Sequence, residues 1–205
     1  MKFKSLLCGL LALAIPTAIF AQPLADEKFS ALQNAVILII RHAEKPDSGS
    51  GLSAYGEARA KAYVIYFKNF TNAVDGQPLK INYIFAAADS KESHRPRLTI
   101  TPTSRALGLA INSRFKEKDF QGLANELHSK PHGRAILIAW HHGEIPSLLR
   151  ALGADPAAVI PKSKWPEDVF GWVIELRYDA DGHLTEATRI NEKLMPDDFN
   201  RHSEK

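Results

Sequence analysis

Ala35-Val36-Ile37-Leu38-Ile39-Ile40-Arg41-His42-Ala43-Glu44-Lys45 decides the fold. Its first six residues are continuously apolar and mostly β-branched, with no polar alternation, which is the pattern of a strand covered on both faces. A dense polar cluster follows at its carboxyl end. Two further runs share this design: Ile81 to Ala87, and Ala135 to Trp140. Each is short, apolar and followed by polar residues. Helical segments lie between them, so the sequence predicts a three-layer α/β/α sandwich with a mostly parallel central sheet.

Working outward, a loop with Pro46, Gly49 and Gly51 leads into a helix from Ser53 to about Phe70, with its apolar spacing through Ala54, Ala58, Ala62, Ile65 and Phe67. After the polar stretch Asp89 to Arg97 a second helix is expected to begin at Thr101, with Pro102 in its first turn, and to run to about Asn112. Asp119 to Ser129 reads as a third helix and Ile145 to Leu152 as a fourth. Phe170 to Tyr178 and Leu184 to Ile190 read as antiparallel strands joined through Asp181-Gly182.

The 205 residues, 45% of them hydrophobic, suffice for one core and do not call for two. Lys2 and Lys4, the apolar run Leu6 to Ile15 and the small residues around Ala18 to Ala21 have the order of an export leader. Residues 1–21 are therefore expected to be a signal peptide, cleaved after Ala21. Residues 22–205 would form one domain, placed in the periplasm or secreted. The run Leu6 to Phe20 contains Pro16 and is shorter than the roughly 20 apolar residues of a spanning helix, so no stable membrane anchor is expected after cleavage.

Cys8 is the only cysteine, so the mature chain would have no thiolate for catalysis or for a metal. The formal charge of +3 falls when Lys2 and Lys4 are removed, and this balance gives no support to nucleic acid as a partner.

In a parallel sheet the three polar segments, Arg41 to Lys45, Ser90 to Arg97 and His141 to Glu144, lie along one edge, where such folds gather their chemistry. Imidazoles and guanidiniums crowded there need an anion, and the planar donor fork of arginine matches phosphate. With no thiolate available, a neutral imidazole at a strand end is a credible nucleophile towards phosphorus.

The residues Ile39 to Lys45, together with Gly51-Leu52-Ser53-Ala54-Tyr55-Gly56-Glu57-Ala58-Arg59-Ala60, resemble the opening signature of the histidine phosphatase superfamily. That family includes the phosphoglycerate mutases. Its Arg-His-Gly segment closes the first strand, and a Leu-Thr-x-x-Gly-x-x-Gln-Ala-like segment opens the next helix. Arg95-Pro96-Arg97-Leu98-Thr99 is similar to the family's Arg-x-x-x-Thr, and Trp140 to Pro146 to its strand-then-His-Gly segment. The chain departs from the pattern at Ala43, where glycine is usual.

The resemblance implies a phosphoglycerate mutase-like fold and a phosphomonoester hydrolase of the histidine acid phosphatase type, without metal or organic cofactor. His42 would accept the phosphoryl group, and Arg41, Arg95 and His142 would clamp it. Lys45 and His141 would contact the substrate. Strand alternation would turn His141 away from His142. The proton donor could be Glu117, Asp119, Glu126 or Glu144, and Glu144 is the choice made from sequence.

The substrate would be a small phosphorylated molecule or a phosphorylated envelope component. The alternative is a catalytically inactive relative that binds phosphorylated ligands or envelope glycans in the same pocket. A metal site made of His42, His141 and His142 is the rival reading of the histidines, but the carboxylate ligands of a hydrolytic metal centre are not evident.

Overall fold

A computed structural model describes residues 30–199. The expected leader, residues 1–21, lies outside the described residues, as do 22–29 and 200–205. Strands β1 (Val36–Arg41), β2 (Tyr83–Ala86), β3 (Ile111–Asn112), β4 (Ala135–Trp140), β5 (Trp172–Tyr178) and β6 (Leu184–Asn191) form one sheet in the order β3-β2-β4-β1-β5-β6. The pairs β1 with β4, β2 with β4, and β2 with β3 are parallel, while β5 is antiparallel to both of its neighbours.

Every residue of β1 and β4 is buried. Ile37 and Ile39 face one core with Leu123, Leu127 and Leu148, and Leu38 and Ile40 face the other with Tyr63, Phe67 and Ile100. The alternation of side chains across a strand thus feeds two apolar layers, which is why these strands carry no polar residue before Arg41 at the end of β1. The first layer is closed by helices α3 (Phe120–Ser129) and α4 (Ile145–Ala151), and the second by α1 (Ala54–Lys68) and α2 (Arg95–Leu107). A short α5 (Pro156–Val159) precedes β5. Among the described residues no helix is long and apolar enough to cross a membrane.

The predicted sandwich is the one observed, with three local corrections. α2 begins at Arg95, not at Thr101, and continues through Pro102. A proline inside a helix costs about 3 kcal/mol; here the helix holds because Pro96, Thr99, Ile100 and Thr103 make a buried stripe on either side of it. The two-residue strand β3 occupies 111–112, where the end of that helix was expected.

The third correction concerns which face of α1 is buried. Ala54, Ala58 and Ile65 are exposed, and Gly56, Arg59, Ala60, Tyr63 and Phe67 point inward. Small alanines tolerate solvent, whereas Arg59 lies inside only because Glu44, Glu192 and Asp198 accept its hydrogen bonds.

Gly56 brings α1 against the polar loop that follows β1. A Cβ built there would lie 2.4 Å from the carbonyl oxygen of Glu44. Replacing Gly56 with Ala is expected to lower unfolding free energy by about 1–3 kcal/mol, the usual cost of forced overpacking. Gly143, which has open space around it, should accept alanine without loss of stability. Urea melts of both variants check this, and equal midpoints would contradict it.

Candidate active site

β1 and β4 end side by side, with Arg41 paired to Trp140 and the His42 amide donating to the Trp140 carbonyl at 3.0 Å. The residues after both strands therefore meet. His42 is 3% exposed. Its Nδ1 lies 2.8 Å from the Ala43 carbonyl oxygen, which can only accept, so Nδ1 carries the proton and Nε2 keeps its lone pair. Burial, opposed in part by that hydrogen bond, pushes the His42 pKa down to about 2; Arg41, His141 and Arg95 push in the same direction as burial. The ring is neutral at physiological pH and fixed in a single tautomer.

Ala43 is fully buried, and its amide donates to Thr99 Oγ1 at 2.8 Å. Thr99 in turn donates to the carbonyl of Arg95. The Arg-x-x-x-Thr spacing thus ties the first turn of α2 to the loop carrying His42. Helix geometry puts positions four apart on one face, so the same turn that fixes Ala43 also presents Arg95.

Arg41 is caged. Its Nη1 donates to the carbonyls of Pro166, Glu167 and Val169 at 3.1, 2.9 and 2.8 Å, and its guanidinium carbon lies 3.8 Å from the centre of the Phe170 ring. Nη2 lies 3.3 Å from His142 Nδ1. Burial lowers the Arg41 pKa to about 9, so it remains a cation at neutral pH.

The Nε atoms of both Arg41 and Arg95 are buried without a hydrogen-bond partner. Both guanidiniums act electrostatically on the neutral His42 imidazole, and such a grouping of donors suits an anion with several oxygens.

Both adjacent histidines face His42: its ring centre is 5.2 Å from that of His141 and 6.0 Å from that of His142, each edge to face. Strand alternation would have turned His141 away from His142. β4 stops at Trp140, and the amides of Glu144 and Ile145 fold back onto the His141 carbonyl, so strand alternation no longer applies at 141 and 142. Burial lowers the His142 pKa to about 4, with Arg41, His141, Lys45 and Lys164 adding to the shift. Lys45 is therefore within electrostatic reach of the site, and Lys164 is a cation that sequence reasoning did not single out.

Among the described residues, the ring nitrogens of His42, His141 and His142 do not form a group of three ligand atoms all within 4.8 Å of one another. Arg97 pairs with Asp89 at the surface and is separate from the pocket.

Two acidic residues need placing. Glu144 sits before the first turn of α4, and its side chain makes no hydrogen bond or ion pair among the described residues. Glu117, in the loop before α3, has a carboxylate oxygen 3.5 Å from His141 Nε2, and its carbonyl accepts from the Trp140 indole at 3.0 Å. The carboxylate brought to the histidines is Glu117.

Sequence reasoning also missed the support beneath the site. Arg59 is 1% exposed and donates to Glu44, Glu192 and Asp198, each at 2.8 Å in its shortest bond. Tyr63 donates to Glu192 as well. The signal available was Arg59 itself, standing where the family motif has glutamine.

No protein-family model matches the chain, and no curated protein sequence does. Among solved structures, a phosphoserine phosphatase variant from Entamoeba histolytica in complex with phosphoserine is similar over 78% of this chain and 99% of its own, at TM-score 0.50 and 12% identity. A phosphoglycerate mutase from Plasmodium falciparum is 20% identical at TM-score 0.45, over 75% of this chain and 90% of that one. The mycobacterial glucosyl-3-phosphoglycerate phosphatase is 14% identical at 0.47, over 76% and 96%. The chain has the phosphoglycerate mutase-like fold. At such identities the likeness carries the backbone only, so chemistry must be argued from the side chains of this phosphoglycerate mutase-like domain.

The buried carboxylates beneath the site give a pH dependence. Burial pushes the Glu192 carboxyl from its ordinary 4.5 up to about 8, against the pull of Arg59. A raised folded-state pKa means that this group's stabilisation is complete below pH 4.5 and is lost as pH rises towards 8. Urea midpoints of the wild type should carry a component that falls across this window. Glu192→Gln should flatten it, and an unchanged slope in the variant would contradict the assignment.

Proposed function

We propose that this chain is an exported, metal-independent phosphomonoester hydrolase that works through a phosphohistidine on His42. The observation that supports this reading most is the geometry around His42. A neutral imidazole with its Nδ1 proton bound to Ala43 keeps the Nε2 lone pair, within electrostatic reach of the Arg41 and Arg95 guanidiniums, whose Nε donors are unpaired.

The reaction divides into two displacements. His42 Nε2 attacks phosphorus in line with the ester oxygen; the N–P bond forms as the P–O bond breaks. Arg41 and Arg95 hold the equatorial oxygens, and His142, whose Nδ1 accepts from Arg41, has an Nε2–H to donate to them. Lys45 adds positive charge at the rim.

Glu117, beside His141, gives a proton to the departing alkoxide, which leaves as an alcohol. Water then attacks the phosphohistidine and returns a proton to Glu117, the P–N bond breaks, and inorganic phosphate departs. Glu117 therefore replaces Glu144 as the assigned proton donor. The reading of residues 1–21 as a leader supports a substrate outside the cytoplasm, either a small phosphorylated molecule or a phosphorylated envelope component.

Phosphate release from phenyl phosphate, with a chelator present throughout, tests the reading. His42→Ala should reduce turnover by about 10⁴-fold or more. Glu117→Gln should reduce it by about 10²-fold, and by more for an alkyl ester whose alcohol leaves poorly. Loss of activity with chelator in the wild type, or a comparable loss in Glu144→Gln with none in Glu117→Gln, would contradict the mechanism.

A further inference from the structure

The proposed reaction needs a proton at the leaving oxygen, delivered through Glu117. A carboxyl keeps a proton at neutral pH when burial withdraws it from water; the Glu117 side chain is 46% exposed. The proton is better held on a neighbour. His42, His141 and His142 stand close by, and their bonding differs.

His42 cannot hold it. Its Nδ1 already carries a proton for the Ala43 carbonyl, and its Nε2 must keep a lone pair to attack phosphorus. His142 cannot hold it either. Its Nδ1 accepts from Arg41 Nη2 at 3.3 Å, so a further proton there would break that bond and set a cation against a cation. Arg41, His141, Lys45 and Lys164 all join burial in pushing the His142 pKa down.

His141 differs because it faces a carboxylate. Its Nε2 lies 3.5 Å from a Glu117 oxygen, and its side chain is 14% exposed. The pair is held from both ends: the Trp140 indole donates to the Glu117 carbonyl at 3.0 Å, and the His141 carbonyl accepts from the amides of Glu144 and Ile145. Contacts that carry protons are often this long before substrate binds and tighten afterwards.

Burial, Arg95 and Arg41 push the His141 pKa down, and Glu117 pushes it up. The cleft that His141 lines adds Asp89 and Glu92 from the loop after β2, and Lys116 and Lys118 from the loop before α3, two charges of each sign. Arg95 and Arg41 are also the residues assigned to the phosphate. A dianion held by them offsets their effect on His141 while Glu117 stays in place, and a negative charge within about 4–6 Å favours the imidazolium.

Resting on the phosphatase reading above, we infer that His141 stores the leaving group's proton: with a phosphate dianion in the pocket its Nε2 takes a proton from solvent and passes it to Glu117, which hands it to the departing oxygen. In the first displacement the His141 N–H bond breaks as a Glu117 O–H bond forms. That O–H bond breaks in turn as the leaving oxygen, keeping the electron pair of the P–O bond, takes the proton. In the second displacement the attacking water gives a proton to Glu117, from which it returns to His141, and it goes back to solvent when phosphate departs. His141 acts through Glu117 and not on phosphorus.

Sulfate binding tests this, because sulfate is a dianion near neutral pH and brings no proton of its own. Calorimetry in buffers of different ionisation enthalpy gives the protons taken up. The wild type should take up about half a proton or more per sulfate, and His141→Gln and Glu117→Gln about a fifth of that or less, with sulfate still bound. Uptake that persists in His141→Gln would overturn the inference.

The leaving group gives a second readout, through kcat/KM. His141→Gln should lose at least about tenfold more on hexyl phosphate, whose alcohol needs the proton, than on 4-nitrophenyl phosphate, whose phenolate leaves without one. An equal loss on both esters is the mark of a structural role and rules the store out. Sulfate bound without proton uptake, by a wild type that hydrolyses both esters, sinks this inference alone. If the wild type binds no sulfate or hydrolyses neither ester, the phosphatase reading fails and takes the inference with it.

Discussion

The burial of Arg41 is the constraint on which the site depends. A guanidinium at the end of a fully buried strand is tolerated only if its donors are met, and three carbonyls of the 166–169 segment meet those of one nitrogen. This fixes the plane of the cation and leaves Nε without a protein acceptor, with the charge in electrostatic reach of the His42 imidazole. The same cation, with the low-polarity surroundings, keeps His42 neutral. A fixed positive charge and a neutral imidazole thus come from one arrangement.

Beneath this lies a second buried cation with the opposite task. Arg59 has no role at the pocket surface, yet it joins Glu44, three residues after Arg41, to Glu192 and Asp198 near the end of the described chain. Asp198 further accepts from the amides of Leu194 and Met195. The loop after β1 is thus held from below by ions and from the side by Thr99. The role proposed for His42 needs such support, because positioning errors of about 1 Å cost rate steeply.

The sequence made the layers legible because short apolar runs without alternation, rich in β-branched residues and bounded by polar clusters, read as strands buried on both faces. Four of the polar clusters' residues, Arg41, His42, His141 and His142, were legible for the same reason: they follow strands that lie side by side. The start of α2 was misread because Pro102 signals a first turn locally, whereas burial of Thr99 and Ile100 extends the helix upstream. Arg59 was hidden because a charged residue on a helix normally faces solvent, and its partners lie 15, 133 and 139 positions away. The carbonyl cage of Arg41 was likewise invisible, since backbone acceptors leave no mark in a sequence. Glu117 could not be ranked above Glu144 until the turn after β4 brought His141 round to meet it.

The central claim is that the phosphoryl group passes through His42. It is tested most directly by mixing the protein with phosphorus-labelled phenyl phosphate, quenching in alkali during turnover, and mapping the labelled peptide by mass spectrometry. The account predicts an acid-labile, alkali-stable phosphoryl group on the peptide containing His42, absent from His42→Ala. Turnover with no trapped label, or a label on another side chain, would contradict it.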